Sequence, residues 1–375
     1  MASVTREGAT ARTKAAQGDR PRLPVTAVLG AGPNGLALAG YLVQMGAPVH
    51  IWNQALGPLQ AIQVLGGIRL DQELVRPARV TAGIAQALEE AEVIMVTQPA
   101  SALAETARTI APYLRDHQQI LLVGAGVGAA LEFRRELEAE EQVAKVIIAE
   151  TPGFPLDSIS TGPAMTRVLA VKRWLPVAAL PRNATGIVVD QCRKLLPMLD
   201  PVSSVLESSL QNTVVLMHSV ITLLNADRIQ QGIPFRFYAE GLTPEVTETL
   251  AAADAERCAI ARAYGLEVPS LEEYLFRTYG SREQGLREKL LGVEALREKV
   301  APTGLKHRYI EEDVPSGLVP LWELAELAEV PCPTLERLID LASSLTGRNY
   351  RREGRTLARM GLTGLTPDQV RLAVQ

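Results

Sequence analysis

The stretch Gly30-Ala31-Gly32-Pro33-Asn34-Gly35 has the G-x-G-x-x-G spacing with which a chain binds a pyrophosphate. A glycine at the first position permits a tight turn, and the second lets the backbone approach the phosphates. The third lets the following helix pack closely on the preceding strand. N–H groups at the start of that helix would face the anion. The motif therefore predicts a dinucleotide site, with Gly30, Gly32, Pro33, Asn34 and Gly35 as cofactor-binding residues.

The nature of the cofactor depends on the end of the second predicted strand. An acidic side chain at this position usually binds the ribose 2′-hydroxyl of NAD, but here the residue is Asn53, followed by Gln54. A neutral amide does not repel a 2′-phosphate, although no arginine follows at once to bind one. We expect Asn53 to contact the cofactor, which is NADP or NAD, with a slight preference for NADP.

A candidate general acid or base is found by elimination among the four histidines, His50, His117, His218 and His307. His50 lies in the second predicted strand and His117 in a polar turn. His218 lies within a long apolar helical pattern, which would bury it or place it at a cleft. Imidazole is the usual acid–base group near neutral pH, but a lone histidine on an apolar helix is more often a core residue, so both interpretations stay open.

The stretch KHRYIEEDVPSGLVP, Lys306 to Pro320, concentrates charge beside a Pro-Ser-Gly sequence. A buried histidine needs a carboxylate that fixes its tautomer and stabilises its cation, and Glu311-Glu312-Asp313 is the candidate cluster. An acidic triplet in a loop is equally well explained as solvated surface. Since Pro315 disfavours a helical conformation at Val314, we expect a stiffened loop, with His307 exposed on it.

Alternating strands and helices must position the glycine motif. Short apolar runs predict strands at Val25–Leu29, Val49–Asn53, Glu92–Gln98, Gln119–Val123 and Lys145–Ala149, with helices between them. This alternation predicts an open, mostly parallel sheet whose carboxyl edge binds the ligand, which adds Pro99 to the cofactor-binding residues. Two further β-like runs, Val168–Val171 and Pro176–Leu180, extend this domain to about residue 200.

Helical periodicity replaces this pattern from about residue 203. Ser209–Arg228 and Thr243–Tyr264 read as long helices, the latter with Thr243 as its cap and Pro244 in its first turn. The predicted fold class is α/β, with an N-terminal Rossmann dinucleotide-binding domain (25–202) followed by an all-helical C-terminal domain (203–375) for substrate binding and dimerisation. Residues 1–24 lack an apolar segment, and we interpret them as a disordered leader.

Composition excludes several other classes of protein. A hydrophobic content of 47%, a charged content of 21% and a net charge of −4 describe an ordinary globular protein and argue against nucleic acid as a partner. No uninterrupted apolar stretch reaches the length of a membrane span. The three cysteines, Cys192, Cys258 and Cys332, lie far apart, which argues against a metal site or disulfides and fits the cytoplasm.

Residues 308–320 resemble the signature of the opine dehydrogenase family, R-Y-x-x-E-D-[VI] followed by G-L-V-P. NTVVLMHSVITLLNADR resembles the family's N-x-x-x-x-M-H-P-x-x-x-L-L-N-A helix, and the ending REGRTLARMGLTGLTPDQVRLAV fits too. The resemblance covers nearly all of residues 25–375 and is closest to the bacterial carboxyethyl-norvaline type. It implies NAD(P)H-dependent coupling of an amino acid or other amine with a 2-oxo acid, such as pyruvate, through an imine, by a homodimer.

The resemblance also implies roles for particular residues. It makes His218 the catalytic acid or base and Asp313 its partner. It places Arg308 on a substrate carboxylate and adds Asn212 and Tyr309 to the substrate-binding residues. Ser219 stands where the family usually has proline after the histidine, a departure that would straighten the helix slightly. Ile159 stands near a position at which relatives commonly have arginine, and since its segment, Pro152–Ser160, is expected to border the cleft, this departure bears on amino-acid preference.

Two alternatives remain at this point. The first is an oxo-acid reductase of the same two-domain plan, acting without an amine. Such enzymes often use a lysine of the helical domain, and the absence of lysine between Lys194 and Lys289 weakens this hypothesis. The second is a nucleotide-binding protein without turnover.

Overall fold

The computed structural model describes residues 22–375, so the predicted leader lies outside the described residues except for its last three positions. All the strands of this described part lie before residue 202. In chain order these are β1 (Thr26–Leu29), β2 (Val49–Trp52), β3 (Ile68–Leu70), β4 (Glu73–Val75), β5 (Arg79–Thr81), β6 (Val93–Val96), β7 (Gln119–Val123), β8 (Ile147–Thr151), β9 (Leu156–Gly162), β10 (Met165–Val171), β11 (Leu175–Leu180) and β12 (Leu199–Pro201).

Six helices connect these strands. They are α1 (Pro33–Gln44), α2 (Leu56–Leu65), α3 (Ile84–Leu88), α4 (Leu103–Ile110), α5 (Ala129–Ala139) and α6 (Thr185–Cys192). Their apolar faces cover a main sheet of strand order β12-β11-β8-β7-β6-β1-β2-β5. Every neighbouring pair in it is parallel except β8 and β11. The predicted open, mostly parallel sheet is confirmed, and the strand order reverses between β1 and β6, where such folds bind ligands.

A second, four-stranded sheet has the order β4-β3-β10-β9 and packs against α1. The predicted run Val168–Val171 belongs to this sheet, whereas Pro176–Leu180 lies in the main sheet. The sequence did not reveal β3, β4 or β5, because each has three residues and is too short to show a period of two.

The regular secondary structure of the remaining chain is helical, apart from an isolated bridge between Arg236 and Val300. Its helices are α7 (Val205–Leu210), α8 (Val214–Leu224), α9 (Ala226–Gln230), α10 (Pro244–Ala263), α11 (Leu271–Tyr279), α12 (Leu286–Gly292), α13 (Glu294–Arg297), α14 (Arg308–Glu311), α15 (Val319–Leu327), α16 (Pro333–Thr346), α17 (Tyr350–Glu353), α18 (Leu357–Met360) and α19 (Pro367–Ala373). The predicted cap of α10 is confirmed, since the Thr243 side chain accepts a hydrogen bond from the Val246 amide. No helix of residues 22–375 is long and apolar enough to cross a membrane.

The prediction of one continuous helix over Ser209–Arg228 is wrong. The segment forms α7, α8 and α9, with breaks on both sides of α8. At the first break Asn212 turns its side chain onto the backbone, and its Oδ1 accepts from the Val215 amide at 3.4 Å. At the second break Asn225 Nδ2 donates to the carbonyls of Ile221 and Gly241. Buried asparagines that bond to the backbone compete with helix continuation.

The prediction of a proline-stiffened loop around Val314 is also wrong. Val314–Leu318 form one π-helical turn that leads into α15. Pro315 lies in the first turn, where its missing N–H leaves no helical acceptor unpaired. The turn packs directly on α8, since a Cβ added to Gly317 would lie 2.5 Å from the Val215 side chain. This close packing brings the charged stretch against the helix that carries His218.

Two buried polar contacts fix the helical half on the sheet. At the end of β8, the carboxylate of Glu150 accepts from Ser209 Oγ at 2.6 Å and from the Ala130 amide at 2.8 Å. Burial raises the pKa of Glu150 to about 7. On α5, Glu132 forms a buried ion pair with Arg355 at 2.6 Å. A cluster of buried apolar residues runs from one face of the sheet into the helices, so the two halves share packing at the cleft.

Candidate active site

The glycine motif forms the turn between β1 and α1. Gly30 has φ of +127°, and a Cβ there would meet Thr97 Oγ1 at 2.7 Å. A Cβ on Gly35 would lie 2.0 Å from the Gly30 carbonyl oxygen, so these two positions require glycine. The space beside Gly32 is open, since no atom lies within 4 Å of a Cβ built there. An open glycine at the start of a helix fits a pyrophosphate, and the residues present therefore suit a dinucleotide.

The side chain of Asn53 is held against this turn. Its Oδ1 accepts from the Ala31 amide at 3.0 Å, and its Nδ2 donates to the Ala55 carbonyl at 2.9 Å. Helix α2 begins directly afterwards, without an acidic residue in its first turn and without a side-chain cap. Pro99 follows β6 and begins a 3₁₀ turn, Ala100–Ala102, across the carboxyl edge of the sheet from the glycine turn.

His218 and Asp313 are 95 residues apart in the chain and form a hydrogen bond of 2.8 Å between Nδ1 and Oδ2. Both side chains are largely buried, at 13% and 10% exposure. Because Nδ1 is engaged with the carboxylate, Nε2 is the nitrogen left for a substrate in the cleft that both residues line. Burial lowers the pKa of His218, while the hydrogen bond and charge of Asp313 oppose this shift. The pair has the arrangement of an oriented acid–base catalyst.

Tyr309 supports the imidazole from one side. Its ring stacks on that of His218 with centroids 3.9 Å apart and an angle of 23°. Burial raises the pKa of Tyr309 to about 12, so its hydroxyl stays protonated. The backbone carbonyl of Tyr309 accepts from the buried Ser219 hydroxyl at 3.5 Å. Ser219 thus forms a polar contact between α8 and α14.

The prediction that His307 is an exposed loop residue is wrong. The residue is half-buried, and its Nδ1 accepts from the Tyr309 amide as the N-cap of α14. Its ring also contacts the edge of the Tyr309 ring, with centroids 4.5 Å apart. Capping of a short helix by a side-chain acceptor explains the burial. His117 is exposed, as predicted, and His50 is buried in β2, where it contacts the Ala87 carbonyl.

Arg308 is the first residue of α14 and lines the same cleft. Its Nε lies 3.9 Å from Glu312 Oε2 and has no hydrogen-bond partner among the described residues. The side chain is 38% exposed, so most of its donors remain available to a ligand. A guanidinium with free donors beside a histidine can hold a carboxylate in bidentate fashion.

The cleft has an empty volume of about 850 Å³. The sequence-predicted residues that it brings together are Asn34, His218, Arg308, Tyr309, Asp313 and Asn212. Gly30, Gly32, Pro33, Gly35, Asn53 and Pro99 do not line it and belong to the glycine turn and the neighbouring sheet edge. Of the segment Pro152–Ser160, which is expected to border the cleft, six residues line it, and Ile159 is not among them.

Sequence reasoning missed a second group of polar cleft residues. Lys172, Lys299, Asp157, Tyr238 and Tyr279 all line the cleft, and none belongs to a motif. The absence of lysine between Lys194 and Lys289 says nothing about these two residues, since Lys172 follows β10 and Lys299 follows α13. No group of residues that could hold a metal ion occurs in the part of the chain that the structure describes.

Comparisons with known protein families agree with this arrangement. The family described as NAD/NADP octopine/nopaline dehydrogenase, alpha-helical domain, matches residues 201–346. The ketopantoate reductase family, PanE/ApbA, matches residues 26–151. The first of these matches covers most of the helical half, and the second lies within the half that contains the strands.

Individual proteins match over nearly the whole chain. It is 38% identical over 353 residues to the opine dehydrogenase of Arthrobacter sp. (strain 1C), covering 93% of this chain and 98% of that protein. It is 27% identical to protein ocs of Agrobacterium tumefaciens (strain Ach5), covering 90% and 95%. Among solved structures, an octopine dehydrogenase with NADH and L-arginine superimposes with a TM-score of 0.74 at 20% identity, covering 94% and 98%. An NADP⁺-bound yersinopine dehydrogenase gives 0.66 at 17%, with the same coverage.

Proposed function

The chain belongs to the opine dehydrogenase family, and on that premise we propose a role in the reaction for each of its cleft residues. It is an NAD(P)-dependent oxidoreductase that acts on CH–NH donors, joining an amine to an oxo acid and reducing the resulting imine to a secondary amine. These proposed roles rest on the buried His218–Asp313 pair. The Nε2 of His218 is free and faces a cleft beside Arg308.

His218 donates and accepts the protons of the coupling reaction. The amine adds to the carbonyl carbon of the oxo acid, and the His218 cation donates a proton from Nε2 to the departing hydroxyl as water leaves and the imine forms. Asp313 holds the tautomer in which Nε2 points to the substrate and stabilises the imidazolium. In the oxidative direction the neutral imidazole accepts the proton of the secondary amine.

Arg308 fixes the oxo acid through its carboxylate and so orients the reacting carbon. The glycine turn from Gly30 to Gly35 would hold NAD(P)H, which when bound would supply the hydride for reduction of the imine. Pyruvate is the proposed oxo acid, and a solved octopine dehydrogenase of the same fold contains it together with NADH. Tyr309 positions the imidazole by stacking, and Asn212 shapes the wall of the cleft at the break before α8.

The proposed function is tested by the rate of NAD(P)H oxidation with pyruvate, measured with and without a panel of L-amino acids. A rate that requires the amino acid supports the proposal. A rate with pyruvate alone, unchanged by any amine, would instead favour the oxo-acid reductase to which the match with ketopantoate reductase points.

For the cofactor we propose a slight preference for NADP. Support comes from the neutral Asn53 and from the first turn of α2, which carries no acid that would repel a 2′-phosphate. Replacing Asn53 with aspartate places a negative charge there, and we expect kcat/KM for NADPH to fall by about tenfold or more relative to NADH. Asn53→Gln, which keeps the amide, is the matched control. If both variants changed kcat/KM by the same factor for NADPH and for NADH, this result would contradict the proposed preference.

The pH dependence follows from the lowered pKa of His218. Oxidation of the opine needs the neutral imidazole, so activity is lost as the pH falls through the pKa of the free enzyme. We expect kcat/KM in the oxidative direction to decline with a midpoint below the ordinary value of 6.5. Asp313→Asn removes the contacts that oppose the shift, and the midpoint should move to still lower pH. A midpoint above 6.5 in the wild type would contradict the assignment.

We further propose that the enzyme acts in the cytoplasm as a homodimer. Its three cysteines are free thiols, two of them buried, which suits a reducing compartment. The molecular mass from light scattering after gel filtration tests the dimer. A mass equal to that of a single subunit would refute it.

A further inference from the structure

A second glycine-rich turn, Gly124–Gly128, follows β7 and forms part of the cleft wall. Gly124 and Gly126 line the cleft together with His218 and Asp313. All three glycines of this second glycine turn have positive φ, between +64° and +90°. No step proposed above involves the turn, although it borders the site of the reaction.

The second glycine turn packs on the π-helical turn that follows Asp313. The Val127 amide donates to the Ser316 carbonyl at 2.8 Å. A Cβ on Gly126 would lie 2.5 Å from the same carbonyl oxygen, so only glycine permits this approach. One wall of the cleft from the sheet and one from the helical half therefore meet at the Ser316 carbonyl.

Arg355 joins these two turns from a position outside the cleft. It lies between α17 and α18, and 2% of its surface is exposed. Its Nη1 donates to the carbonyls of Val127 at 2.8 Å and Ala125 at 3.1 Å. The Ser316 carbonyl lies 3.4 Å from the same nitrogen, and the backbone amide of Arg355 donates to the Pro315 carbonyl at 2.7 Å. One residue thus bonds to both turns.

The charge of Arg355 is compensated away from the two turns. Its Nε donates to Glu132 at 2.6 Å, and Glu132 also pairs with Arg359. Buried carbonyls need donors, and a guanidinium offers several N–H groups in fixed directions. While Nε is held by Glu132, Nη1 is left for the carbonyls. A lysine would keep the charge, but it lacks the planar fork and would not fix both turns in the same way.

We propose that Arg355 is a positioning residue for the reaction. By holding the second glycine turn on the π-helical turn, it fixes the sheet wall of the cleft relative to the His218–Asp313 pair. The charges that chiefly affect the pKa of His218 are those of Asp313, Arg308 and Lys299, so Arg355 acts on the imidazole through the position of Asp313. This inference rests on the proposed function, since it concerns the geometry of the proposed acid–base pair.

The test replaces Arg355 with lysine. We expect kcat for amine-dependent NAD(P)H oxidation to fall by about tenfold to 100-fold, because a misplacement of about 1 Å has effects of this size. The KM for pyruvate should change by less than about threefold, since Arg308 is untouched. Arg359→Lys is the matched control, because Arg359 pairs with the same Glu132 and forms hydrogen bonds to neither turn. Equal kcat values for the two variants would overturn the inference.

The pH profile separates positioning from a loss of folded protein. A smaller folded fraction lowers the rate by one factor at every pH, whereas displacement of Asp313 weakens its hold on the imidazole. We therefore expect the midpoint of kcat/KM for opine oxidation to move to lower pH in Arg355→Lys, in the same direction as for Asp313→Asn. An unchanged midpoint would show a merely structural role and overturn the inference.

Hydrogen exchange needs no turnover and separates this inference from the proposed function. The Val127 amide reports the bond between the two turns, and the Ala130 amide, bonded to Glu150, is an internal reference. In Arg355→Lys without substrates, we expect exchange to be about tenfold faster at Val127 and unchanged at Ala130. Equal exchange at Val127 in variant and wild type, or faster exchange at both amides, overturns the inference even if the coupling reaction is found. A wild type without amine-dependent oxidation overturns the proposed function, whatever the exchange shows.

Arg355→Gln is the second variant, for use if the lysine variant does not fold. Its planar amide can still donate to carbonyls, and Arg359 remains paired with Glu132. It should show the same changes in kcat, midpoint and exchange. Failure of both variants to fold would assign Arg355 to stability alone and overturn the inference.

Discussion

Replacing His218 with asparagine is expected to lower kcat for amine-dependent NAD(P)H oxidation by about 10³-fold, because a positioned acid–base group contributes factors of this size. Asparagine keeps a polar side chain against Asp313, so the cleft should stay folded. The dissociation constant of the cofactor should not change, since the glycine turn is formed by other residues. The rate is measured at saturating pyruvate and amino acid, and cofactor binding by fluorescence titration.

The control for this change is His117→Asn at an exposed histidine, for which full activity is expected. Asp313→Asn should also lower kcat, by a smaller factor, because it removes the orienting partner and leaves the imidazole in place. Near-normal turnover in His218→Asn would remove the histidine from the mechanism. A loss of cofactor binding in the same variant would show a structural effect instead.

The second large effect is expected at Arg308. Replacing it with methionine should raise the KM for pyruvate by about 100-fold, since a charge-assisted bidentate contact is lost and the neighbouring Glu312 is left to repel the substrate carboxylate. The KM for the amino acid should change much less. Initial rates over a matrix of both substrate concentrations separate the two constants.

A conservative variant sharpens this test. Arg308→Lys keeps the charge but loses the planar fork, so it should restore part of the pyruvate affinity. Arg371→Met removes an exposed arginine paired with Asp368 and serves as the control. If Arg308→Met raised the KM of the amino acid and left that of pyruvate unchanged, the assignment of Arg308 to the pyruvate carboxylate would be wrong.

The parts of the fold that the sequence predicted are those governed by local rules. The glycine turn, the buried strands around it and the cap of α10 each depend on residues that are neighbours in the chain. The pairing of His218 with Asp313 spans 95 residues. The family resemblance predicts this pair because its motifs include both His218 and Asp313. Without the resemblance, the sequence is equally consistent with a core histidine.

The parts that the sequence did not predict depend on distant packing. Lys172 and Lys299 carry no spacing signal, since their common wall exists only after β10 and α13 are brought to the same cleft. The prediction of a loop at Pro315 fails because the preference of the residue before proline is overridden where the proline lies in a first helical turn that packs on α8. The prediction of an exposed His307 fails because the sequence does not predict the short α14, and a helix cap cannot be foreseen without its helix.

Mass spectrometry of the product tests the central claim most directly. The enzyme is incubated with pyruvate, L-leucine and NADPH, and the new compound is measured against reactions that lack each component. Reductive coupling predicts a secondary amine with the summed mass of pyruvic acid and leucine less one oxygen atom, absent with His218→Asn. Lactate as the sole reduced product, formed equally without L-leucine, would contradict the account and assign the cleft to oxo-acid reduction.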